Sequence, residues 1–147
     1  LNVMALIPEI VYDFRVPIDT ASPMLESVIK KNTATGAATA LDCTIYTVPS
    51  GRLLILSNAN INVIAGAAQL PIWTQLYIQR GGEVSAVAEE HLNETASIRR
   101  QALNWSGELW LHPGWEVHAF CTFDAGGVAN NINGFLCGML IPRANAS

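Results

Sequence analysis

Residues 111–121 read LHPGWEVHAFC, and two readings compete for them. Two histidines and a glutamate close together suggest a metal centre or a general base. A Pro-Gly followed by alternating residues suggests a turn that opens a β-strand. The alternation extends over 115–123: Trp115, Val117, Ala119, Cys121 and Phe123 share one face, and Glu116, His118, Phe120 and Thr122 share the other. The segment therefore reads as a strand with a plain core face, and its histidine and glutamate fall on the opposite side.

Working outward, the same texture fills the chain from Leu41 onward. LDCTIYTV (41–48) ends at the turn PSG, and RLLILSNANINVIAG (52–66) starts apolar on both parities, as a strand covered on both faces does. In PIWTQLYIQR (71–80), Ile72, Leu76 and Ile78 alternate with Gln75, Tyr77 and Gln79, before Gly81-Gly82 turns the chain. Residues 83–94 suit a strand or a short helix equally. TASIRRQALNW (95–105) and GELWL (107–111), separated by Ser106-Gly107, read as a hairpin-like pair, and INGFLCGMLIPR (132–143) closes the domain. Seven or eight short strands without a long helix predict an all-β fold, an antiparallel β-sandwich of jelly-roll type, over 41–147.

Residues 1–40 differ. Three prolines punctuate 1–32, which carries no sustained period, so it reads as an extended arm with one helical turn in MLESVIKKN. TATGAATA (33–40) follows as a small-residue linker or loose edge. An arm of this kind builds no core of its own but can lie across a neighbour, with Tyr12, Phe14 and Arg15 as its contact residues.

The chain of 147 residues is half apolar, only 14% charged, and has a formal net charge of −4. So apolar a chain suggests surface covered by other subunits. Without a basic stripe, direct nucleic-acid binding is not expected. No apolar run reaches the ~18 residues of a membrane span, and the first ten residues lack the pattern of a signal peptide. Three cysteines, Cys43, Cys121 and Cys137, are an odd number and too few for a disulfide scaffold; Cys121 and Cys137 fall in strand-like runs and read as buried free thiols, a bridge between them being the alternative.

If the strands flanking HPG pair with each other, one sheet face collects Glu108, Trp110, His112, Glu116 and His118. A metal site at His112, Glu116 and His118 is then conceivable, yet the tight His-x-His cluster of metal-binding jelly rolls is missing, and a surface meeting water or another subunit is the expected role. There is no Gly-x-Ser-x-Gly elbow, no Cys-x-x-Cys pair and no phosphate-cradling loop, so neither enzyme activity nor a cofactor is expected. Of the four tryptophans, Trp115 reads as core, whereas Trp73 and Trp110 face outward. Exposed indoles mark a subunit contact or a sugar-stacking platform. The expected interface comprises Trp73, Tyr77, Trp110, His112, Glu116 and His118.

The turns and strands YTVPSGRLLILSN, LWLHPGWEVHAF and INGFLCGMLIPR, with a Gly-rich loop before the last, resemble small jelly-roll virion proteins of tailed bacteriophages. The likeness covers roughly residues 41–143. It implies a capsid cement or decoration subunit: a homotrimer, made in the host cytoplasm, that sits on the outer capsid and bridges major capsid proteins. The alternative it leaves is a tail or head-fibre attachment module that binds carbohydrate through Trp73, Tyr77 and Trp110.

Overall fold

The computed structural model describes residues 25–92 and 99–143. The expected arm contacts Tyr12, Phe14 and Arg15 lie outside the described residues. Eight strands follow one another: β1 (Glu26–Gly36), β2 (Ala40–Thr47), β3 (Arg52–Ile64), β4 (Pro71–Arg80), β5 (Glu83–His91), β6 (Arg100–Leu111), β7 (Glu116–Phe123) and β8 (Asn130–Pro142). They form two antiparallel four-stranded sheets, ordered β1-β8-β3-β6 and β2-β7-β4-β5. Odd and even strands thus mix so that the chain crosses between sheets after nearly every strand, the double Greek-key order of a jelly roll. Among the described residues, β4 and β5 are the only consecutive strands that pair.

The core lies between the sheets, where the alternation sends it. Leu54, Leu56, Ile61 and Val63 of β3 and Ile132, Leu136 and Leu140 of β8 face Cys43 and Ile45 of β2, Leu76 and Ile78 of β4, and Val117, Ala119 and Cys121 of β7. The core set of β7 is the one its period predicts. At one end, Asn130 is fully buried and ties three loops together: its Oδ1 accepts from the Gly66 amide at 2.7 Å and from Gln69 Nε2 at 2.6 Å, and its Nδ2 donates to Ala38 O at 3.1 Å. At the other end, the Val48 amide donates to Trp115 O at 2.9 Å while the Gly114 amide donates to Val48 O at 2.8 Å. The VPSG and HPG turns therefore lie side by side. Gly51 and Gly114 supply the positive φ, 74° and 85°, that each turn needs.

Two expectations are corrected and one open reading is settled. The sandwich starts at Glu26, not at residue 41: ESVIKKNTATG is neither helical nor a linker but an edge strand paired along its whole length with β8, from Glu26 opposite Leu140 to Gly36 opposite Asn130. Only Val28 of this strand is buried, so burial writes no clear alternation into it. Residues 83–91, left open between helix and strand, form the edge strand β5. Finally, Ser106-Gly107 is not a hairpin turn. β6 runs through it, with a register shift where β3 passes from Leu56 to Asn58. A Cβ at Gly107 would stand 2.8 Å from Cζ2 of Trp105, so the glycine leaves room for that indole to fold over the bulge.

Candidate functional site

The outward face of the β2-β7-β4-β5 sheet carries most of the residues singled out by sequence. Period 2 points Trp73, Gln75, Tyr77 and Gln79 of β4 outward, and antiparallel register sets Tyr77 beside His118 and Gln79 beside Glu116 of β7. On the other side of β7, Asp42 and Thr44 of β2 register with Phe120 and His118.

Two connected groups result. In the first, the rings of Tyr77 and His118 stack at 4.6 Å with planes 12° apart. The Tyr77 hydroxyl donates to Asp42 Oδ2 at 2.5 Å, and the imidazole is held between carboxylates, Nδ1 at 2.9 Å from Asp42 Oδ1 and Nε2 at 2.7 Å from Glu116 Oε1. His118 is only 6% exposed although it sits on an outer face. Burial, and then the hydrogen bond to Asp42 and its charge, push the Tyr77 phenol well above its ordinary pKa, so the hydroxyl keeps its proton.

In the second group, Glu89 of β5 accepts from Trp73 Nε1 at 3.1 Å and from Gln75 Nε2 at 3.1 Å, and lies 3.1 Å from His91 Nε2. Trp73 stacks on His91 at 6.0 Å and meets Phe120 edge-on at 5.7 Å. The hydrogen bonds from Gln75, His91 and Trp73 hold the Glu89 carboxyl below the usual carboxylate range.

Trp73, Tyr77, Glu116 and His118 are thus brought onto one face, while Trp110 and His112 are not. β6 and β7 belong to different sheets, so the short HPG segment crosses between sheets rather than joining neighbours. Trp110, half-exposed, is on the first sheet and donates its Nε1–H to Glu108 Oε2 at 2.7 Å. His112 packs against Trp115 at 4.8 Å. The proposed collection of Glu108, Trp110, His112, Glu116 and His118 on one face does not form, nor does the platform of Trp73, Tyr77 and Trp110. Among the described residues, no three His, Cys, Asp or Glu side chains are grouped so as to hold a metal ion. Burial pushes the thiol of Cys43 up and that of Cys121 up to about 11, so neither presents a thiolate at neutral pH. All three cysteines are free.

Sequence reasoning missed Asp42, Glu89 and His91. Parity alone places Asp42 outward between Leu41 and Cys43, but its meeting with His118 requires knowing that β2 pairs with β7. It also missed a second feature at the edge. A cleft of about 410 Å³ opens between the edge strands β5 and β6, lined by Arg80, Ser85, Val87 and three tryptophans, Trp105, Trp110 and Trp115. Trp115, expected in the core, is half-buried at this rim with the Arg80 guanidinium 5.2 Å over its ring.

No protein-family model and no curated protein matches the chain. Among solved structures it is similar to an Eiger TNF from S. frugiperda, at 10% identity and TM-score 0.38, over 77% of this chain and 92% of that one. It is also similar to a Drosophila NLP core, studied for pentamer formation and histone binding, at 13% identity and TM-score 0.30, over 76% of this chain and 98% of that one. The jelly-roll assignment rests on the strand order itself.

Proposed function

We propose that the chain is a non-enzymatic structural subunit of a virion, a cement or decoration protein that trimerises on the outer capsid and bridges major capsid proteins. The observation that carries the reading is an apolar row on the outward face of the β1-β8-β3-β6 sheet. Register aligns Met139, Ile55 and Trp110 across three strands, with Ile29 of the fourth in the next row, opposite Cys137. Ile29 is 68% exposed and Met139 38%, a cost in water that a partner removes. Beyond the row the face is polar but mostly uncharged: Thr33, Asn133, Asn131 and Thr35 bond to one another, as do Asn60 and Asn104. Such groups are cheap to desolvate beside charges. Four strands ~4.8 Å apart and ~40 Å long present roughly 750 Å², close to the ~800 Å² each partner gives to a stable complex. A second copy of the chain is the occupant proposed.

The other face supports a role without catalysis. Both nitrogens of His118 are engaged by carboxylates, and its ring is covered by Tyr77, which leaves no nitrogen poised for a substrate proton.

Light scattering of the full chain tests the assembly. A trimer is expected, and the pair Ile29→Asp and Met139→Asp is expected to give folded monomers. A wild-type monomer at ~50 μM, weaker than the micromolar affinity of ordinary assemblies, overturns the reading. Cosedimentation with DNA-free phage heads tests the partner. Removing residues 1–24 is expected to weaken head binding and leave the sandwich folded. Removal through residue 32 would instead take away most of β1 and expose the edge of β8.

A further inference from the structure

The two edges of the sandwich differ. At one, Asn32 Nδ2 of β1 donates to Thr44 O of β2 at 2.9 Å, and Lys30 Nζ lies 5.3 Å over the Tyr46 ring, so the sheets close on each other. At the other, between β5 and β6, the cleft of about 410 Å³ stands open. Val87, Trp105, Leu109 and Trp115 pack against the core from there and are only partly buried, so the core has an uncovered apolar flank. Trp110 stands at the lip and belongs to the outward row assigned to a second copy.

Strand register says what lies near this flank. Glu26, Leu140, Leu54 and Leu111 form one row across the first sheet, and Leu111 lines the cleft. The start of β1 is therefore three strand spacings, ~14 Å, from the cleft, at the same end of the sandwich. The 24 residues before Leu25 are tethered there. Fourteen of them are apolar and three are proline, a composition that suits an aromatic-lined groove and is costly to leave in water. Their aromatic side chains are Tyr12 and Phe14, and Asp13 between the two offers a carboxylate to Arg80. Arg80 is the one charged residue among those lining the cleft, and its side chain is 39% exposed. The eleven residues from Phe14 to Leu25 reach up to ~36 Å when extended, more than the span requires.

We propose that residues 1–24 dock in the cleft of their own chain, with Tyr12 and Phe14 against Trp105 and Trp115. Tethering decides for this occupant. A linked segment is present at an effective concentration of about millimolar, so contacts too weak to hold a free peptide suffice. The docking belongs to the free subunit and goes beyond its assembly on a head.

Arg15 follows Phe14 and is the one trypsin site before Lys30. Brief trypsin digestion of the full chain, read by mass spectrometry, gives the rate of cutting after Arg15. That rate tracks the population with the arm released. Trp105→Ala and Val87→Asp, which leave the arm's own sequence intact, are each expected to raise it about tenfold, ~1.4 kcal/mol. Trp73→Phe, on the other sheet, is expected to leave it unchanged, and circular dichroism confirms that each variant is folded. Equal rates in the wild type and both cleft variants overturn the proposal, as does an equal rise in Trp73→Phe. The rate is also expected to be independent of chain concentration and unaltered in the monomeric Ile29→Asp and Met139→Asp variant. A rate that rises on dilution or in that variant assigns the arm to a second copy and overturns docking within one chain. Because the monomeric variant removes the subunit contact and keeps the cleft, failure of the assembly and failure of this docking are told apart.

Discussion

Gly134 is a position where the two sheets press tightly together. It lies on the inner side of β8, and a Cβ there would stand 2.5 Å from Cγ1 and 2.6 Å from Cδ1 of Ile45 on β2, and 3.3 Å from Cβ of Ala119 on β7. Unstrained carbon contacts fall at ~3.5–4.0 Å, so Gly134→Ala overlaps Ile45 by about 1 Å and is expected to cost ~1–3 kcal/mol. Ile45→Ala alone opens a cavity and costs ~2–5 kcal/mol. Valine would not serve as the relieving residue, because it keeps a carbon at the Cγ1 position. In the double variant the new methyl enters the space that Ile45 vacates. Its total destabilisation should then fall short of the sum of the single effects by at least ~1 kcal/mol, well outside the ~0.5 kcal/mol scatter of independent sites. Urea unfolding followed by tryptophan fluorescence, at one fixed protein concentration and with equal slopes among variants, gives the four free energies. Additive costs would mean that β8 does not lie over β2, and the strand order would have to be redrawn.

Acid and alkali probe the two networks on the other sheet face. The depressed Glu89 carboxyl contributes stability that is present above the ordinary carboxylate pKa of about 4.3 and is lost as pH falls through its lower folded value. The Trp73 contribution to fluorescence, taken as the difference from Trp73→Phe, should change in that range, and Glu89→Gln should remove the change; an unaltered profile in that variant refutes the assignment. The raised Tyr77 phenol contributes stability that is complete below the ordinary value of about 10 and is lost as pH rises toward its folded value. Tyr77→Phe should lower stability at neutral pH by ~1–3 kcal/mol, through the lost bond to a charged acceptor, and lessen the alkaline loss; equal alkaline sensitivity in the variant counts against the Tyr77–Asp42 bond.

How much of this could be read in the residues depends on which physical rule wrote them. Alternation records which side of a strand meets the core, and it placed Trp115–Phe123, Pro71–Arg80 and the last strand within a residue or two of their observed positions. It fails for a strand that buries little. β1 turns only Val28 inward, and its β-branched Val28, Ile29, Thr33 and Thr35 were a weaker clue that passed unread. Gly107 misled for the opposite reason: glycine marks turns in many chains, but here it makes way for the Trp105 indole inside a continuous strand.

The larger gap is that period 2 assigns a residue to a face but never assigns a strand to a sheet. The HPG turn is short enough to suggest that β6 and β7 are neighbours, and the expected His112, Glu116 and His118 grouping depended on that. In a jelly roll such a turn passes from one sheet to the other, so Trp110 goes to a surface across the molecule from His118. The same crossing brings together residues far apart in sequence: Asp42 meets His118 because β2 pairs with β7, and Trp105 and Trp110 of β6 line one cleft with Arg80 at the end of β4 because β6 edges one sheet and β5, the partner of β4, edges the other. Both groups are therefore products of topology. A variant that keeps every local pattern but breaks the pairing of β2 with β7 should lose the Asp42 bonds to His118 and Tyr77, while the Tyr77–His118 stack, which the pairing of β4 with β7 sets, persists.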